Sequence, residues 1–81
     1  MKLPVVSSRK VIKALSSAGF KISRQSGSHV IMTKQEREKI TVVIPKHVAI
    51  ARGTLVSIIS QSGLSREEFC KLLERKFQKK I

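Results

Sequence analysis

The sequence predicts an α+β domain in the order α-β-β-β-α-α, with helices covering one face of a three-stranded antiparallel sheet. Three observations predict it. Apolar residues recur at helical spacing in one stretch near the start and two near the end. Three short β-prone runs lie between them. The runs are separated by Ser26-Gly27 and by a charged segment, both too short for the crossover that a parallel sheet needs.

The first helix spans Ser7 to Gly19. Val11, Ile12, Leu15 and Ala18 form its apolar stripe, while Arg9, Lys10, Lys13 and Ser17 lie off it. Ser7 is placed to cap the first turn, and Val6 is placed to pack on Val11. Gly19 suits the left-handed residue that stops a helix. The strands are Phe20 to Gln25, Ser28 to Thr33 and Ile40 to Ile44, with Lys34 to Lys39 joining the last pair. Pro45 ends the third because it has no N–H for a ladder.

Gly53-Thr54 opens the second helix, with Leu55, Ile58 and Ile59 inward, and Gly63 closes it. Ser65 and Glu68 make the Ser-x-x-Glu capping box of the third. Its stripe is Phe69, Leu72, Leu73 and Phe77, with Leu64 at the staple position. Glu67 and Glu68 at its start, and Lys76, Lys79 and Lys80 at its end, complement the helix dipole. Helices on one face leave the other face of the sheet to a partner.

Seventeen Lys or Arg against five Glu and no Asp set the formal charge of the 81 residues at +12. One domain over residues 1–81 is expected, since the chain is too short for two cores. Such a charge favours a polyanionic partner: nucleic acid, an anionic membrane surface or an acidic protein. It is unevenly spread. Residues 1–35 hold seven bases and no acid, 36–64 four bases and two acids, and 65–81 six bases and three acids, giving +7, +2 and +3.

Lys10, Lys13, Lys21, Arg24 and Lys34 are therefore the first candidates for phosphate contacts. Phe20, Phe69 and Phe77 are the whole aromatic complement, all at core-like positions, so a base-stacking platform lacks its residues. Without Asp, a two-metal nuclease is not expected; two histidines are too few for a protein-only zinc site, and no cofactor motif occurs. Cys70, the single cysteine, reads as a packing residue in a reducing cytoplasm. No run is long enough for a signal peptide or a membrane span, so a soluble protein is expected.

His29 follows Gly27-Ser28 at a strand start, where a tight turn exposes a side chain and lets N–H groups approach a phosphate. Its face of the sheet is open. A two-residue Ser26-Gly27 turn sets it beside Ile22 and Ile31, whereas a longer or bulged loop turns Val30 and Met32 inward and His29 outward. A partly buried, hydrogen-bonded histidine is the plain alternative. His47, after Pro45-Lys46, fits a second acid or base, a phosphate donor or a simple loop residue.

Met1-Lys2-Leu3-Pro4, Ala18-Gly19-Phe20, Arg24 to His29 (RQSGSH), Val42 to His47 (VVIPKH), Gly53-Thr54-Leu55 and Gln61 to Phe69 (QSGLSREEF), in that order, resemble the HicA family of HicAB toxin–antitoxin modules. The resemblance covers nearly the whole chain. It implies a fold similar to the double-stranded-RNA-binding domain and a ribonuclease that cleaves mRNA. The histidine of Gly-Ser-His, here His29, would be catalytic, and a HicB antitoxin would mask the site. In such an enzyme His29 would transfer protons. Arg24 and Lys46 would steady the phosphate, the Gly27-Ser28 turn would hold the anion, and Lys10 and Lys13 would grip RNA. His47 is then a possible second acid or base. The alternative is a non-catalytic module that binds double-stranded RNA or DNA.

Overall fold

Helix α1 (Ser8–Ser17) begins where Ser7, in extended backbone, accepts the Lys10 N–H at 3.4 Å. It ends where Gly19 takes φ +103°. The computed structural model describes residues 5–75; Met1 to Pro4, Lys76, Phe77, Lys79 and Lys80, all named in the sequence reading, lie outside the described residues. Val11, Ala14 and Leu15 of α1 are fully buried, and Val6, at the staple position, joins the same core.

Strands β1 (Lys21–Gln25), β2 (His29–Gln35) and β3 (Lys39–Pro45) form one antiparallel sheet in the order β1-β2-β3. β2 and β3 pair without interruption from His29↔Pro45 to Gln35↔Lys39. Both strands run further than the sequence suggests, so the connection shrinks to Glu36-Arg37-Glu38. Alternation sends Val30 and Met32 of β2, and Val42 and Ile44 of β3, to one buried face. Val43 on the other face is 40% exposed.

Helix α2 (Arg52–Ser62) starts one residue before Gly53, without a side-chain cap, and stops at Gly63 with φ +81°. It packs along β3, where the Val43 N–H donates to Gln61 Oε1 at 3.1 Å, so α2 meets that edge of the sheet. β1 is the other edge, and all five of its residues are exposed.

Helix α3 (Arg66–Arg75) carries the capping box in full. The Glu68 N–H donates to Ser65 Oγ at 3.0 Å, and the Ser65 N–H donates to Glu68 Oε1 at 2.9 Å. Its Phe69 and Leu73 join Leu55, Ile58 and Ile59 of α2, the α1 stripe, Phe20 and the inner sheet residues in one cluster. Cys70 packs against that cluster half-buried, as a small apolar residue does.

Gly19 tests the joint between α1 and β1. A Cβ there would come within 3.2 Å of Lys34 Cε, on a backbone that L side chains avoid. Gly19→Ala should lower stability in urea unfolding by about 1 kcal/mol or more.

Candidate functional site

Pairing between β1 and β2 changes register once. Lys21 faces Thr33 and Ile22 faces Met32; then Ser23 is passed over, and Arg24 faces Ile31 and Gln25 faces Val30. Had the first register continued, Arg24 would lie opposite Val30 and point into the core, and Gly27 alone would have to close the hairpin. The bulge at Ser23 turns Arg24 to the open face and leaves Gly27-Ser28 as a two-residue connection. Of the two arrangements open to the sequence, the bulged one is therefore realised. Val30 and Met32 are buried, and His29 is exposed on the open face with Ile31 and Thr33.

Ser26 shapes the turn. Its Oγ accepts the N–H of Ser28 at 3.3 Å and that of His29 at 3.1 Å, while its own N–H donates to the His29 carbonyl at 2.9 Å. Hydroxyl-to-backbone bonds of this kind replace a turn's missing main-chain partners. From sequence, Ser26 is only a turn former. The signal for more was a serine placed two and three residues before the amides that it accepts. The amides of Ser28 and His29 are thus engaged, and the turn offers an anion the Gly27 N–H and the Ser28 hydroxyl.

Lys46 closes over this turn from the end of β3. Its N–H donates to the Ser28 carbonyl at 2.9 Å and its Nζ to the Ser26 carbonyl at 2.6 Å. One ammonium proton is held in this way, which leaves two donors at the mouth of the turn. His29 carries one polar side-chain contact of its own, Ser28 Oγ to Nδ1 at 3.2 Å.

The backbone of His47 then joins the loop to α1. Its N–H folds back to the Pro45 carbonyl at 3.1 Å, its carbonyl accepts the Ser8 N–H at 3.0 Å, and Ile50 N–H donates to Val6 at 2.8 Å. The exposed His47 imidazole makes no hydrogen bond to another described residue. Main-chain ties thus run from the hairpin turn through Lys46 and His47 to the start of α1. There Lys10 and Lys13, with Ser7 and Arg9, line a shallow basic depression.

The structure brings Arg24, Gly27, Ser28, His29 and Lys46 to one end of the sheet and links the Lys10 end of α1 to it. Two other candidates stand apart. Lys21 is at the opposite end of β1, three residues and about 10 Å from Arg24 at strand rise. Lys34 faces inward opposite Ile40, with Nζ 3.0 Å from Glu36 Oε2 and 5.8 Å from the Phe20 ring centre. Its charge is engaged by an acid and an aromatic face, a structural use that basic spacing cannot reveal. Among the described residues, no group of three or more His, Cys, Asp or Glu could hold a metal ion. No described helix is long and apolar enough to cross a membrane.

A family model described as the HicA toxin of bacterial toxin-antitoxin matches residues 8–64, which contain every residue of this site. No curated protein matches the chain.

The turn gives a direct test. Ser26→Ala removes the acceptor of two amides, so hydrogen exchange at Ser28 and His29 should quicken while amides of α1 and α3 keep their protection. Gly27 has no positive φ, and a Cβ there meets nothing within 4 Å. Gly27→Ala should therefore leave stability within about 0.5 kcal/mol of the parent in urea unfolding.

Proposed function

The chain belongs to the HicA toxin family of bacterial toxin–antitoxin systems, and from that premise we propose that it is a metal-independent endoribonuclease that cleaves mRNA with His29 as its single catalytic histidine. The observation that carries this reading is the exposed His29 imidazole at the head of β2, with Arg24 on its face of the sheet and the Lys46 ammonium across the turn.

The substrate supplies its own nucleophile. His29 takes the proton of a ribose 2′-OH, the 2′-oxygen bonds to the adjacent phosphorus, and the bond from phosphorus to the 5′-oxygen breaks. The leaving oxygen then takes a proton, and a 2′,3′-cyclic phosphate and a 5′-hydroxyl result. Histidine suits such work because its unperturbed pKa of about 6.5 keeps both protonation states accessible near neutrality. Arg24, the free Lys46 protons and the Gly27 N–H stabilise the charge that builds on the phosphorane oxygens.

Among the described side chains, no carboxylate lies at this end of the sheet. Glu36 and Glu38 lie in the β2–β3 connection, and Glu67 and Glu68 open α3. Lys10 and Lys13 add phosphate contacts along the flanking strand of RNA, and recognition follows backbone and shape because, among the described residues, both phenylalanines are buried in the core. A HicB-like antitoxin with an acidic face is the protein partner, and cytoplasmic mRNA the substrate. The charge that grips one serves the other.

Cleavage of RNA, of RNA carrying a 2′-deoxy residue at the cut, and of RNA with chelator present tests the mechanism. Activity should survive chelation and vanish on the deoxy substrate; the reverse of either result would sink it. His29→Ala should lose about 10²–10⁴-fold in cleavage rate and keep its RNA affinity. An unimpaired His29→Ala would instead favour a non-catalytic nucleic-acid-binding module. Lys46→Ala should weaken binding and lower the salt dependence of log K by about one phosphate contact.

A further inference from the structure

We propose that Ser28 is the positioning residue that sets the tautomer of His29, holding the imidazole proton on Nδ1 so that the Nε2 lone pair meets the substrate. The proposal rests on the reading of His29 as the proton-transfer group. Its geometric basis is the 3.2 Å approach of Ser28 Oγ to His29 Nδ1. His29 is exposed, and its Nε2 makes no hydrogen bond to another described residue.

A hydroxyl next to an imidazole nitrogen can donate or accept, and the two cases have different consequences. If Ser28 donated to Nδ1, the neutral ring would carry its hydrogen on Nε2 and would present a donor where a base is needed. If Nδ1–H donates to Ser28 Oγ, Nε2 is the basic atom. Only the second bond survives the reaction, because the proton taken from the 2′-OH arrives on Nε2 and Nδ1–H stays bonded to Oγ in the neutral ring and in the imidazolium. The hydroxyl proton of Ser28 is then free to point to a non-bridging phosphate oxygen.

The turn is built to hold this serine still. Its N–H is bonded to Ser26 Oγ and its carbonyl to the Lys46 N–H, so the backbone on both sides of Cα is tied and only the rotation that aims Oγ is left. His29 is tied in the same way, through its N–H to Ser26 Oγ and its carbonyl to the Ser26 N–H. Two neighbouring residues anchored on one serine hydroxyl place Oγ and Nδ1 together. The acceptor bonded to the ring is an uncharged hydroxyl, so it orients the imidazole without adding a negative charge that would repel RNA.

Nitrogen NMR of the purified protein, at a pH above the titration of histidine, reads which ring nitrogen carries hydrogen without any need for activity. Free histidine in water favours Nε2–H. The parent protein should show His29 mainly as Nδ1–H, Ser28→Ala should revert towards Nε2–H, and Ser28→Thr, which restores a hydroxyl, should return it to Nδ1–H. The main-chain bonds of residue 28 do not involve its hydroxyl, so unchanged amide shifts elsewhere confirm that Ser28→Ala is folded. With RNA, Ser28→Ala should cleave about tenfold more slowly, and Ser28→Thr should recover much of the rate. A parent already in the Nε2–H form, or a Ser28→Ala protein with the parent's tautomer and rate, overturns the proposal. A protein with the expected tautomer shift but no cleavage by the parent keeps the Ser28–His29 bond and refutes the nuclease reading alone.

Discussion

Val30 and Met32 must lie on the helix side of the sheet, opposite Ile44 and Val42, and the rest of the molecule follows from that constraint. A slip of β2 by one residue would exchange the buried Val30 and Met32 for His29 and Ile31. Each of those apolar side chains contributes roughly 1.5–3 kcal/mol by leaving water. The ladder is therefore held in one register, and that register turns His29 outward. Because β2 is fixed from the β3 side, β1 has to adjust, and it does so at Ser23. That adjustment brings Arg24 to the face that His29 occupies.

Main-chain hydrogen bonds then assemble what the sheet has aimed. Lys46 is twenty residues from Ser26 in sequence, yet its side chain and its backbone both close on the hairpin turn. The next residue anchors α1 through Ser8. Arg24 and Lys46 are thereby gathered at the site, while Glu36 pairs with Lys34 and Glu68 sits in the α3 capping box. An electropositive end of the sheet is the result. Helix α3 lies beyond the span matched by the family model, but its Phe69 is fully buried and it packs against α1. It steadies the helix from which Lys10 and Lys13 project.

Local chemistry was legible in the residues. Ser7, Gly19, Gly63 and the Ser65–Glu68 box each act within four residues of chain, so element order, helix ends and the α+β class were determined by sequence alone. Charge counting found the basic first half, and the resemblance pointed to His29. Tertiary structure alone decided which face His29 takes, that Ser23 is bulged, that Lys46 clamps the turn, and that Lys34 serves the core instead of the open face. These depend on strand register and on contacts between distant segments, whose energy lies in burial shared across the sheet. Spacing along one strand cannot reveal them. The +12 of the sequence named a kind of partner, and the fold chose which of those charges stand around the histidine.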